Sequence, residues 1–80
     1  MDTTTLSALK PGEKGEIIRV DGEGELRSRL SALGFRSGAT VAVLYSALFG
    51  GPRTYTICGS QVSLRKTEAN LIHIGVPVQE

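Results

Sequence analysis

Residues 15–46 read GEIIRVDGEGELRSRLSALGFRSGATVAVLYS, and the change of period inside this stretch decides the fold. Gly15 to Val20 alternates as a half-buried strand, with Ile18 and Val20 on one face and Ile17 and Arg19 on the other. Asp21-Gly22 then turns the chain, as Pro11-Gly12 does before the strand. From Glu25 to Leu33 the two-residue rhythm stops, and leucines stand at 26, 30 and 33, the spacing of an amphipathic helix seam. Glu23 and Glu25 place negative charge at the positive end of the helix dipole, and Gly34 supplies the left-handed residue that closes many helices. Arg27 and Arg29 project away from the leucine stripe, and Phe35 is placed to fold back on the last turn. Alternation resumes in Thr40 to Ser46, where Val41, Val43 and Tyr45 share one side and Ala42 and Leu44 the other.

The rest of the chain repeats the strand pattern. Thr54 to Cys58 sets Tyr55 and Ile57 against Thr54, Thr56 and Cys58. Gln61 to Arg65 aligns Val62 with Leu64, and Leu71 to Val78 aligns Ile72, Ile74, Val76 and Val78. A single helical turn is expected at Thr67 to Asn70, capped by Thr67. Five short strands, a helix over about 25–33 inserted after the first, and a turn near 67–70 predict a mainly β chain rolled into a small SH3-like five-stranded barrel. A short antiparallel sheet covers its apolar face by curling on itself, and Leu26, Leu30 and Leu33 would plug one open end.

Eighty residues support one compact core, so residues 1–80 are read as one domain. One cysteine excludes an intrachain disulfide, and one cysteine with one histidine cannot complete a structural zinc site. No run is long and apolar enough to span a bilayer, and Met1 to Leu6 is polar and acidic rather than a secretory leader, so a cytoplasmic protein without direct membrane insertion is expected. Net charge is +1, which lacks the electrostatic weight of a nucleic-acid binder. The charge is unevenly placed: residues 1–25 carry three bases against six acids, whereas residues 26–67 carry six bases and no acid. That distribution makes either a basic face or an intermixed surface, depending on how the strands interleave.

Catalytic equipment is thin. His73 lies between Ile72 and Ile74 and so faces away from them, as an exposed or edge histidine. Cys58, between Ile57 and Gly59, reads as a small buried hydrophobe rather than a nucleophile. Gly22-Glu23-Gly24 ahead of the helix is a turn, because an acid inside it and another beside it would repel a phosphate. Neither a P-loop nor a dinucleotide fingerprint is present, and the acids at 13, 16, 21, 23 and 25 have no adjacent metal-ligating partner. The expectation is a chain that is no enzyme, with no cofactor and no dedicated metal site.

Taken in order, LSALKPGEKGEIIRVDGEGELRSRLSALGFRSGATVAVL, ALFGGP and GSQVSLRKTEANLIHI resemble the ferrous iron transport protein A family over about nine tenths of the chain. The most specific parts are Arg29-Leu30 with Leu33-Gly34 and Gly38, then Leu48, Gly50 and Pro52, then Gly59 with Leu64-Arg65 and Glu68-Ala69. Ala47 and Gly51 depart from the proline and the acid that many members carry there. The resemblance implies an SH3-like barrel that serves as a cytoplasmic accessory in bacterial ferrous iron uptake. Its implied partner is a membrane ferrous iron transporter with a GTP-binding domain, on which it acts as a protein-binding module. The same pattern occurs as a terminal domain of metal-responsive repressors, so a free-standing regulatory domain of that kind is one alternative; an RNA-associated barrel is another. Self-association as a weak homo-oligomer is compatible with the sequence.

Apolar side chains in a strand connection mark a contact surface when the core does not need them, and Leu48, Phe49 and Pro52 meet that test. Phe49 folded over the barrel end is the competing reading. Arg27, Arg29 and Arg36 are the candidate cations for acids on a partner, with Arg65 and Lys66 adding to such a patch, against a plain solvated face.

Overall fold

The structure, a computed structural model, describes residues 2–46 and 52–76. Its elements are β1 (Asp2–Thr5), a 3-10 turn (Leu6–Ala8), β2 (Lys14–Val20), α1 (Gly24–Leu33), β3 (Thr40–Ser46), β4 (Arg53–Ile57), β5 (Ser60–Leu64), α2 (Lys66–Ala69) and β6 (Ile72–Val76). Each element anticipated from the sequence is present with small shifts at its ends, and Val78 lies outside the described residues.

Two features of the expected barrel need correction. Among the described residues the sheet has six strands, not five, in the order β1-β6-β2-β3-β4-β5 with antiparallel neighbours. The additional strand is Asp-Thr-Thr-Thr at positions 2–5, which is β-prone but has no apolar alternation; it is ordered by its ladder to β6, from Asp2↔Val76 to Thr5↔His73. Among the described residues the ladder also stays open, because β1 and β5 form its two edges and do not pair.

Side chains span that gap instead. After β1 the 3-10 turn carries Leu6 and Leu9 into the core, at 0% and 3% exposure. Arg53, at the start of β4 near the opposite edge, donates from Nη1 to the Ser7 carbonyl at 3.1 Å and to the Leu9 carbonyl at 2.5 Å. The Ser7 hydroxyl donates in turn to the Asn70 side chain beyond α2. The roll is thus held by a guanidinium clasp in place of the missing strand pairing.

Bulges bend the sheet. Register slips between Ile17 and Arg19 on β2 and between Val43 and Tyr45 on β3. Strict alternation places Ile18 with Val20; the first bulge instead buries Ile17 to 1%, packs Val20 against the core and leaves Ile18 41% exposed. Gly15 is also buried, and a β-carbon there would sit 3.0 Å from the Gly75 carbonyl oxygen of β6, so the two backbones approach closely only because the side chain is absent.

The helix follows its seam. Leu30 is fully buried, while Leu26 and Leu33 pack against the core with part of their surface open. Gly34 closes α1 at φ +112° and lets the Phe35 N–H return to the Leu30 carbonyl at 3.0 Å, which buries the Phe35 ring. At α2 the cap is Arg65 rather than Thr67, and its backbone N–H donates to the Glu68 carboxylate at 2.9 Å. Cys58 is exposed, not buried, because with φ +49° it forms the first half of the two-residue turn between β4 and β5.

Candidate functional site

The bulge in β2 and the entry to α1 leave a groove of about 1140 Å³ between them. Its apolar part comes from Ile18, Val20 and Phe35; Ser28 and Ser31 contribute hydroxyls, and Arg19, Arg27 and Arg36 bring positive charge. Each is placed by a local cause. The register slip turns Ile18 outward, the helical period sets Ser28 and Ser31 one turn apart with Arg27 beside them, and the Gly34 reversal carries the chain back to Arg36.

The charges in the groove are not equivalent. Arg19 Nε donates to Asp21 Oδ1 at 3.0 Å, and the His73 ring donates from Nε2 to Asp21 Oδ2 at 2.7 Å. The His73 hydrogen bond, followed by the charge and hydrogen bond of Arg19, holds the Asp21 carboxyl below its ordinary value against an opposing desolvation effect. Arg19 and Asp21 are therefore committed to each other. Among the described residues Arg27 and Arg36 make no ion pair, and both are exposed. Glu23 and Glu25, at the amino end of α1, also line the groove and bring negative charge to it.

The structure divides the cations picked out from the sequence. Arg27 and Arg36 line the groove, but Arg29 reaches to the Glu68 carboxylate of α2 and ties the two helices together. Hydrogen bonds from the Arg65 backbone and from Arg29 keep the Glu68 carboxyl low. Pro52 is exposed just before β4, away from the groove lining, and Leu48 and Phe49 lie outside the described residues. His73, expected at an edge or exposed, is instead half-buried on the interior strand β6, between Thr5 of β1 and Arg19 of β2, and bonded to Asp21. Sequence reasoning missed Ile18 and Arg19 because it assumed unbroken alternation; the signal was Ile17 and Val20 both apolar, three residues apart on one strand.

Chemically, the groove combines apolar and charged surface. It offers an apolar floor and two uncommitted guanidinium groups, and neither the histidine nor the cysteine lines it. No group of three or more potential metal ligands occurs among the described residues, and no helix there is long and apolar enough to cross a membrane.

The FeoA domain model matches residues 4–76. A Porphyromonas gingivalis protein, the Fe(2+) transport protein A/Fe(2+) transporter FeoB fusion protein, is 38% identical over 86% of this chain, which spans 8% of that protein's length. A putative Fe(2+) transport protein A of Campylobacter jejuni is 31% identical over 90% of this chain and 97% of its own. Among solved structures, the FeoA protein of Chlorobium tepidum superposes with a TM-score of 0.83 at 35% identity, covering 95% of this chain and 74% of that one. Two more structures share the fold at lower identity. The zinc-complexed FeoA of Stenotrophomonas maltophilia, an SH3 domain protein, has a TM-score of 0.79 at 24% identity over 90% of this chain and 89% of that one. A manganese-dependent transcriptional repressor has a TM-score of 0.80 at 20% identity, and the match covers 90% of this chain but 40% of the repressor.

Proposed function

Because the chain belongs to the FeoA domain family, we propose that it is a cytoplasmic accessory of bacterial ferrous iron uptake that docks on the membrane transporter and its GTP-binding domain. In this reading it is a protein-binding module with no catalysis and no cofactor of its own. The observation that carries it is the groove, where Ile18 stands 41% exposed beside two arginines without an acidic partner among the described residues. An apolar anchor with flanking guanidinium groups suits a partner segment that presents an apolar side chain next to acids. The Porphyromonas gingivalis fusion supports the same partner, since joining two units in one chain raises their effective concentration for contact. Leu48, Phe49 and Pro52 form a second contact candidate, and Arg29 belongs to the α1–α2 junction first.

Calorimetry with the transporter's cytosolic domain tests this. Ile18→Ser and the pair Arg27→Glu with Arg36→Glu alter exposed positions, so the fold persists; each is expected to weaken binding roughly 10- to 100-fold, the charge reversal more strongly at low salt. Leu48→Ala and Phe49→Ala are expected to weaken it as well. Wild-type affinity in the groove variants at both low and moderate salt overturns the groove assignment.

A further inference from the structure

Among the described residues no strand lies beyond β5, and its register with β4 determines which peptide groups face outward. Cys58 and Gly59, at φ +49° and +79°, form the two-residue turn that joins Ile57 to Ser60. In such a hairpin the pair next to the turn is hydrogen bonded and the following pairs alternate. Ser60, Val62 and Leu64 therefore direct their backbone groups to β4, whereas Gln61 and Ser63 direct theirs away from the sheet. Both of these residues are exposed. Natural sheets guard such an edge with charge, proline or a bulge. Ser-Gln-Val-Ser-Leu has no charge and no proline, and its ladder to β4 is unbroken. The opposite edge differs, since β1 includes Asp2 and is only four residues long before the chain turns away.

We propose that β5 pairs antiparallel with β5 of a second copy of this chain, about a two-fold axis through Val62. The segment complements itself in that register. Gln61 meets Ser63 of the second copy at both ends, so the outward peptide groups exchange hydrogen bonds and two polar side-chain pairs lie on the outer face. The two Val62 side chains meet on the inner face, which covers a side chain that packs only partly against its own core. Arg65 falls opposite Gly59, six positions along the strand from the other Arg65, so these cations stand about 20 Å apart. That exceeds the Debye length of about 8 Å at physiological salt, so the two Arg65 side chains are screened from each other.

Sedimentation equilibrium of the intact chain from micromolar to millimolar concentration provides the test, with amide exchange at residues 61 and 63 as a site-specific readout. A monomer–dimer equilibrium is expected, with those two amides exchanging more slowly as concentration rises. The double variant Gln61→Lys with Ser63→Lys sets like charges opposite each other twice and should raise the dimer Kd about tenfold. Gln61→Glu with Ser63→Lys sets opposite charges in the same places and should restore dimerisation; circular dichroism checks that both fold. A wild-type chain that stays monomeric throughout, equal dimerisation of the two doubles, or protection of these amides only when a different protein is added overturns the proposal.

Discussion

Replacing Arg53 with alanine is expected to be among the most damaging single changes outside the apolar core. The guanidinium donates to two backbone carbonyls, those of Ser7 and Leu9, across the gap between the edges of the sheet. Hydrogen bonds from a charged donor contribute about 1.5–3 kcal/mol each. Both bonds arise from one nitrogen and are partly buried, so the pair is worth less than twice that, and a loss of about 2–4 kcal/mol is expected. A domain of this length has a total stability of about 4–12 kcal/mol, so about a third of it is at stake in the middle of both ranges. In urea, with a slope of about 1 kcal/mol per molar for a small protein, the midpoint should fall by about 2–4 M. Arg53→Lys offers a single point donor and should recover about half of the loss. The damage should also be directional: amides of residues 2–9 should exchange faster before those of β3 and β4 do. If Arg53→Ala costs less than about 0.5 kcal/mol, or if the extra exchange is spread evenly, the clasp does not hold the roll.

Gly15→Ala tests the close approach of β2 and β6. Its β-carbon would press on the Gly75 carbonyl oxygen from 3.0 Å, and backbone cannot yield as a flexible side chain can, so a loss of about 1–3 kcal/mol in chemical denaturation is expected. Glu68 supplies an acid-sensitive contribution. Its carboxyl is held below the ordinary 4.5 by the Arg65 N–H and by Arg29, so the stability it adds is present above that value and is lost as pH falls through the lower folded one. Glu68→Gln should therefore cost about 0.5–1 kcal/mol at neutral pH and make stability between about pH 5 and 3 less steep, read by thermal melts across that range.

Most of the scaffold could be read from local pattern because the relevant forces act locally. The leucine spacing at 26, 30 and 33 specifies a helix, Gly34 its end, and the alternation around Val41 and Val43 a strand with one buried face. The parts that escaped depend on distant partners. Asp-Thr-Thr-Thr is β-prone but carries no apolar alternation to mark it as a strand until β6 is beside it. Arg29 looks like a free surface cation until Glu68, remote in sequence, takes it up. Ile18 shares a face with Val20 by strict alternation until the bulge in the pairing of β2 with β6 separates them and turns Ile18 outward. The groove shared this fate, since Arg27 and Arg36 stand out as charges in the sequence whereas its apolar floor of Ile18, Val20 and Phe35 comes together only in the fold.

The pairing of β1 with β6 has a consequence for how the molecule is made. Thr3 lies opposite Gly75, and β2 also leans on β6 along Glu16 to Val20, so the earliest strands complete their ladders only with the last one. Contacts that span nearly the whole chain close slowly, because the entropy of a long loop is spent before any contact rewards it. A nascent polypeptide lacking residues 72–76 would have β3, β4 and β5 able to form while β1 and β2 wait unpaired on the β6 side, exposed to cleavage or to capture by chaperones. Maturation of this fold should therefore wait until residues 72–76 have been made. The same geometry brings Asp2 and Val76 side by side, an arrangement that suits a module joined to larger polypeptides without disturbing its interior.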